Sequence, residues 1–398
     1  MNNTGPHHFD LAVVGSGILG LAHAYAAVKR GLRVAVFERT GTPLGASIRN
    51  FGMGLVTGQP PGIMLDLARE SRALWLHLAA RANFSAREAG TLLFARTEAE
   101  RDVLQEFMIV RARQYEYRAS LLQGDKLNAL YNGRFRHHLA VLHGTEDLQL
   151  YSREAMPALV AYLHSQGVHF RFNTLVHGAG DGRLSTTAGE FRAERVVVCS
   201  GHDYQTLFAD KLQAMNLKQC RLQMLRVKAQ DALPLTHAVL TGLSCTHYGA
   251  FADLPTARAV HAEIDATAPL LNKHGIHLLV SPTPYQELIV GDSHYYGTDS
   301  PPFNSEEIDQ LMIGLAEHTL ATRVQVLERW QGVYGSKGPG PFSALPIDDK
   351  TTAVLMHTGI GMSVGLGLGE RVVKALLAGD ELPAGTPAAA PAPVTALA

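Results

Sequence analysis

Leu11-Ala-Val-Val14, then Gly15-Ser-Gly17-Ile-Leu-Gly20, then Arg33-Val-Ala-Val-Phe-Glu38, is the stretch whose reading decides the fold. It has the order strand, glycine turn, helix, strand and terminal acid, which is that of a dinucleotide site. Gly15 permits a tight turn. Gly17 lets the backbone N–H groups that follow, those of Ile18 and Leu19, approach a pyrophosphate. Gly20 lets a helix over Leu21 to Arg30 pack closely on the strand. Glu38 stands 18 residues after Gly20. Its carboxylate can accept hydrogen bonds from both ribose hydroxyls and would repel a 2′-phosphate, which favours FAD or NAD over NADP. Arg39 follows at the same edge. A chance glycine turn would account for the three glycines but not for the strands, the Ala-rich helix and the acid together.

At 398 residues the chain is longer than one core usually serves, so two domains are expected. Net charge is −1, which shows no electrostatic footprint for nucleic acid or for an anionic membrane surface. Cys199, Cys220 and Cys245 are odd in number and have no CxxC spacing. They point to a reducing compartment, to no disulfide and to no Cys-ligated metal, and no metal is expected. Met1 to Asp10 is polar, and the apolar stretch after it is broken by glycines. Neither signal peptide nor membrane span is read there, and a cytoplasmic location is expected.

Past the nucleotide unit, Ile63, Leu67, Leu74 and Leu78 fall on one helical face, and a second helical run covers about Glu98 to Leu122. Ser152 offers an N-cap for a helix from Arg153 to Ser165, followed by a strand Val168 to Phe172. Arg195-Val-Val-Val-Cys-Ser200-Gly201 reads as a buried strand entering a glycine turn. From Leu222 to Asp292 the pattern becomes antiparallel, clearest in Ile276 to Val280 and Glu287 to Val290. Asn304 with Glu307 has the spacing of a capping box for a helix to about Leu320. The last helix is expected from about Leu366 to Ala378, with Gly379 as its C-cap. Beyond Leu382 the Ala/Pro composition cannot build a core, and residues 383–398 read as a disordered tail.

Two further glycine clusters bear on which dinucleotide is bound. Gly45-Ala46-Ser47-Ile-Arg49-Asn50-Phe-Gly52 begins soon after Glu38, where a NAD domain would continue to its next helix and strand. Gly359-Ile-Gly361-Met362-Ser363-Val364-Gly365 precedes the last helix, where glycine backbone at a helix N-terminus suits the negative charge of a reduced flavin. With these motifs in this order, the chain resembles the FAD-dependent D-amino-acid oxidase family, which includes glycine, sarcosine and D-amino-acid oxidases. The resemblance covers Phe9 to Gly379. It implies an α/β fold: a discontinuous Rossmann-like FAD domain of the glutathione-reductase type (1–85, 145–215 and 331–382) and a mixed, largely antiparallel substrate domain (86–144 and 216–330). It also implies that Ala46, Ser47, Arg49 and Asn50 pass under the pyrophosphate toward the flavin. Val176 would lie at the adenine, and Ser200, Gly201, Gly332 and the Gly359 to Gly365 loop would contact the cofactor. Sarcosine-type members tether FAD through a cysteine near the C-terminal loop. None follows Cys245, so FAD is expected to be non-covalent. Read without the resemblance, Ser47 and Asn50 are equally turn residues, Arg49 an ion-pair partner and Cys199 a small buried hydrophobe.

Amino-acid oxidases of the family carry a substrate-clamping arginine after a Trp-x-Gly-like segment. Here Trp330-Gln331-Gly332-Val333 is followed by Tyr334, and Gly361-Met362-Ser363 also lacks one. Ile289 falls near the lysine with which sarcosine-type members speed reaction with oxygen. Trp330 to Lys337, Gly291-Asp292-Ser293-His294, His247-Tyr248 and Arg49-Asn50 resemble a subgroup associated with phosphonate breakdown. That resemblance implies oxidation of an aminophosphonate related to 2-aminoethylphosphonate, hydroxylated at C1 or N-methylated. The products would be an aldehyde and ammonia or methylamine, with O2 reduced to H2O2. A tetrahedral phosphonate can be met by Lys, Tyr, Ser and backbone donors without a fork-shaped arginine. Tyr334, His247 and Lys337 are the expected catalytic contacts. Arg49, Asn50, Tyr248, Gln331, His294 and Met362 are the expected substrate contacts. Taken singly, His247 and His294 read equally as structural histidines, and Tyr248 and Tyr334 as core aromatics. A glycine, sarcosine or D-amino-acid oxidase, or an amine dehydrogenase passing electrons to another acceptor, would share every flavin motif.

Overall fold

The computed structural model describes residues 8–385. Two large sheets, of eight and nine strands, carry the molecule, and a three-stranded sheet lies apart from them. In the first, β1 (His8–Val14) lies between β2 (Val34–Phe37) and β3 (Gly189–Val198), parallel to both, with Leu11 opposite Val34 and Arg195. All four residues of β2 are buried, as expected for a strand covered on both faces.

Helix α1 (Ile18–Val28) starts three residues earlier than the glycine pattern suggested and is buried from Ile18 to Ala27. A helix apolar on every side must be covered on every side. It is covered by β1 and β2, by α3 (Ser152–Ser165) and by α4 (Gly361–Ala378), and α2 (Ile63–Ala82) packs in turn on α4. A Cβ on Gly369 of α4 would stand 2.6 Å from Ala22 Cβ, so this crossing depends on a missing side chain.

The nine-stranded sheet is built on β4 (Lys218–Ala229), β5 (Leu288–Gly291) and β6 (Val324–Ser336). Antiparallel pairing of β4 with β6 runs from Lys218 opposite Ser336 to Ala229 opposite Val324, with a bulge at Arg226 and Val227. One pair, Thr91–Ala95 with Ala238–Thr241, is parallel, so the sheet is mixed. Because β6 continues unbroken to Ser336, residues 331–336 sit in this second sheet and not with the dinucleotide unit. Strand β7 (Thr351–Met356) returns to the first sheet beside β3 and leads into α4.

Several local expectations are corrected. The run Glu98 to Leu122 is a helix only to Phe107; it passes through a π-turn (Met108–Ala112) and ends as a strand, Ala119–Leu122. Ser152 lies inside α3, its hydroxyl turned to Asn50 Oδ1 (2.9 Å) and not to its own helix. The capping box at Asn304 does not form. The helix begins at Glu306 after Ser305, and Asn304 Oδ1 accepts from Gln331 instead. Helix α4 begins at Gly361, so glycines read as loop are helical, while Gly379 is the left-handed cap expected (φ 72°). Residues 383–385 are placed, with Gly385 backbone against Phe342. The rest of the tail, 386–398, lies outside the described residues. No helix among the described residues is long and apolar enough to cross a membrane.

Candidate active site

A cavity of about 1050 Å³ lies between the two large sheets. Its wall runs from Glu38, Arg39 and Val176, past Gly15, Gly17 and Gly20, to Ser47, Arg49 and Asn50. It ends among His247, Tyr248, His294, Tyr334 and Lys337. The turn from β1 into α1 is held by close contacts. Gly15 N–H donates to Phe37 O (2.8 Å), and a Cβ there would stand 2.4 Å from the Cys199 carbonyl oxygen. A Cβ on Gly20 would stand 1.9 Å from Gly15 O.

Glu38 is more thoroughly engaged than its sequence position indicated. One carboxylate oxygen accepts from Ser16 N–H and Oγ (3.0 and 2.8 Å), the other from Thr40 N–H and Oγ (3.0 and 2.8 Å). Burial pushes this carboxyl up, but the donors outweigh burial and hold it below the ordinary carboxylate range, so Glu38 is ionised at neutral pH. It braces the glycine turn as well as facing the cavity. Glu38→Ala is expected to weaken dinucleotide affinity by about 1–3 kcal/mol, measured by flavin fluorescence on titration; unchanged affinity would remove the ribose role.

Ser47 Oγ accepts from Ile18 N–H (2.9 Å), which leaves the hydroxyl proton for an anionic oxygen beside the start of α1. Asn50 lies on the wall, but its amide is committed to the fold. Nδ2 donates to Ala46 and Ser47 carbonyls, and Oδ1 accepts from Gly52 N–H and Ser152. Its amide therefore braces the loop that forms this part of the wall. Arg49 lines the cavity, and its carbonyl accepts from Trp330 Nε1 (2.9 Å). Arg39 pairs with Asp203 at the mouth (2.7 Å). Ser200, Gly201, Gly332, Gly359, Gly361 and Met362 all lie on the wall.

Three expected cofactor contacts do not. Ser363 Oγ accepts from Leu55 N–H (2.9 Å), Val364 is wholly buried, and Gly365 faces Ile18 and Leu19. One turn into α4 the backbone has already rotated away from the cavity. Gln331 is also off the wall. Its side chain donates to Pro301 and Pro302 carbonyls and to Asn304, because in β6 it points opposite to Trp330 and Gly332.

At the far end, His247 is removed from the outer surface yet open to the cavity. Burial first, then His294 and Lys337, depress its pKa to about 3, so it is neutral. Burial pushes the Tyr334 and Tyr248 phenols well up, which keeps them protonated donors. Lys337 Nζ sits 4.5 Å over the Tyr296 ring, and Tyr296 joins the wall. The cysteine that lines the cavity, Cys199, is a buried thiol held protonated by desolvation, and such a thiol is a poor attachment point for a flavin. Ile289, in β5, is buried and does not reach the wall; the lysine that does is Lys337.

Sequence reading missed Asp292, His277 and Tyr296. Asp292 stood unassigned within a quoted motif. His277 was visible as a polar residue inside the apolar run Ile276 to Val280.

The wall accommodates FAD: a turn that admits only glycine, an ionised acid for the ribose, a serine with a free proton at a helix start, and a second helix start at Gly361. The chain matches the family described as DAO, FAD dependent oxidoreductase, over residues 10–375. It is 29% identical to glycine oxidase of Geobacillus kaustophilus (strain HTA426) over 210 residues, 49% of this chain and 55% of that protein. The chain thus spans about half the length of that relative. The fold is similar to the crystal structure of glycine oxidase from Geobacillus kaustophilus (TM-score 0.75, 21% identity, 94% of this chain and 96% of that one). It is also similar to FAD-bound L-α-glycerophosphate oxidase from Mycoplasma pneumoniae (TM-score 0.72, 18% identity, 93% and 95%). With the glycine turn, the two helix starts and nearly the whole length matched, the chain belongs to the DAO family of FAD-dependent oxidoreductases.

Proposed function

We propose that this enzyme oxidises a short amine carrying an anionic group, a small aminophosphonate before all others. The observation that carries the reading is the donor set at the histidine end of the cavity. Lys337, Tyr334 and Tyr248 all line the wall, and no arginine stands at Tyr334 or Met362 to grip a planar carboxylate. A tetrahedral oxyanion can take donors from several directions.

When bound, FAD would supply the acceptor for the hydride equivalent that leaves the carbon bearing the amine. The protein's own part is to orient that carbon, exclude water and keep the amine unprotonated. The protonated phenols of Tyr334 and Tyr248 suit these tasks, since neither adds charge beside the reacting nitrogen. The resulting imine takes up water and releases an aldehyde with ammonia or methylamine, and O2 receives the two electrons as H2O2.

Likeness to glycine oxidase supports a second reading, oxidation of glycine, sarcosine or a D-amino acid. Ile289, which falls near the lysine with which sarcosine-type members speed reaction with oxygen, supports electron transfer to an acceptor other than O2. Peroxide release and dye reduction, measured across aminophosphonates, glycine, sarcosine and D-alanine, separate all three. The highest kcat/KM is expected for an aminophosphonate with peroxide formed; a higher value for sarcosine or a D-amino acid overturns the substrate assignment. Lys337→Ala is expected to raise KM about tenfold or more and to change kcat less, because the anion is remote from the reacting C–H bond. A fall confined to kcat would place Lys337 at the reacting centre instead.

A further inference from the structure

His247, His277 and His294 offer ring nitrogens that all lie within 4.8 Å of one another, and Asp292 adjoins two of them, 3.3 Å from His277 and 3.6 Å from His294. The Asp292 carboxylate is buried and its Oδ1 has no hydrogen-bond donor. A second buried acid, Asp147, shows what a structural carboxylate in this protein looks like. Its oxygens accept from Val56 N–H, Thr57 N–H and the Thr91 hydroxyl. Asp292 has no comparable set.

The neighbouring imidazoles face Asp292 with lone pairs. His294 Nδ1–H donates to Gly275 O (2.7 Å), which in the neutral ring turns a bare Nε2 toward Asp292 Oδ2, 3.6 Å away. Ser244 Oγ donates to the His277 carbonyl (3.3 Å) and so accepts from His277 Nδ1–H (3.2 Å). His277 Nε2 is then bare as well; it is buried, has no hydrogen-bond partner, and lies 3.3 Å from Asp292 Oδ1 without hydrogen-bond alignment. Acceptors facing acceptors in a buried place need a cation between them.

The spacing favours a metal ion over a shared proton. An N–H···O bond would bring nitrogen and oxygen to about 2.7–3.2 Å. Two ligands each about 2.0–2.1 Å from a tetrahedral zinc stand roughly 3.3–3.4 Å apart, close to the separations seen. Carbonyl and hydroxyl partners on the remote ring nitrogens are also the outer-shell arrangement that fixes metal-binding histidines.

We propose that His247, His277, His294 and Asp292 form a binding site for one divalent transition-metal ion of borderline softness, Zn²⁺ before others, in the cavity wall. Imidazole and carboxylate without thiolate suit such an ion. The ligands come from three loops, one of them, with Asp292 and His294, leaving strand β5, so most of the set is far apart along the chain. Water or a substrate oxygen entering from the cavity can complete its shell. The inference stands whichever amine is oxidised.

The test uses the purified, flavin-loaded full chain, treated with EDTA, dialysed and titrated with Zn²⁺ by calorimetry and with Co²⁺ by visible absorption. Binding of one equivalent of Zn²⁺, and intense Co²⁺ ligand-field bands from a low-coordinate site, are expected. His277→Ala and Asp292→Ala are expected to weaken binding at least about tenfold, with flavin content unchanged. Should a buried variant fail to fold, His247→Ala, whose ring faces the cavity, gives the same comparison. No binding, only weak octahedral Co²⁺ bands, or an affinity unchanged in the variants that fold would overturn the site. None of these readouts depends on turnover, so they leave the proposed reaction to its own test.

Discussion

Replacing Gly15 by alanine is expected to yield a folded protein that purifies without its yellow colour. Gly15 has φ +97°, a left-handed conformation that a Cβ disfavours, and its N–H is tied to Phe37 O, so the turn cannot swing aside. The added carbon would also stand 2.4 Å from the Cys199 carbonyl oxygen, which belongs to the backbone leaving β3. Relief requires the two strand ends to part where the pyrophosphate binds. Strain and overpacking together amount to about 2–4 kcal/mol, a loss in FAD affinity of roughly 30- to 700-fold. Gly31→Ala is the control. Gly31 also has positive φ (80°), but its Cβ would meet nothing within 4 Å. It should cost about 1 kcal/mol of stability and leave FAD affinity unchanged. Equal FAD affinities in the two variants would mean that the contact with Cys199 is not what restricts the turn.

Trp75→Ala is expected to have the largest effect on stability. Trp75 in α2 is wholly buried, and its Nε1–H donates to Met362 O (2.8 Å), which ties α2 to the first turn of α4 at the cavity wall. Removing the indole leaves a large void, which costs about 3–5 kcal/mol, and leaves a buried carbonyl without its donor, which costs about 1–3 kcal/mol more. Denaturant unfolding of the apoprotein measures the sum. Trp75→Phe separates the two parts, since it keeps most of the volume and loses only the donor. If FAD affinity falls in Trp75→Phe while stability changes by less than about 2 kcal/mol, the hydrogen bond positions α4 for the cofactor. If FAD affinity is unchanged, α4 is held by packing alone.

The helix α4 shows how far local reading went and where it stopped. Gly359 to Gly369 is rich in glycine, and local propensity assigns such a run to a loop. In the fold it is helix from Gly361 onward, and two of its glycines stand where neighbours leave no room for a side chain. A Cβ on Gly367 would lie 2.8 Å from Leu67 O, and one on Gly369 2.6 Å from Ala22 Cβ. Tertiary packing overrode propensity, as it also did at Asn304, whose amide oxygen was taken by Gln331 from another strand.

The sequence by itself determined the dinucleotide end: β1, the glycine turn, α1 and Glu38 lie within 31 consecutive residues, His8 to Glu38, so every contact among them is local enough to leave a pattern. Only the tertiary structure decided the far end of the cavity. His247, His277, Asp292 with His294, and Tyr334 with Lys337 come from four separate segments. They meet because β4 pairs with both β5 and β6, setting Leu225 opposite Val290 and Cys220 opposite Tyr334. A one-residue slip in either register would turn those side chains to the opposite face, and no feature within a single segment records which register the sheet adopts.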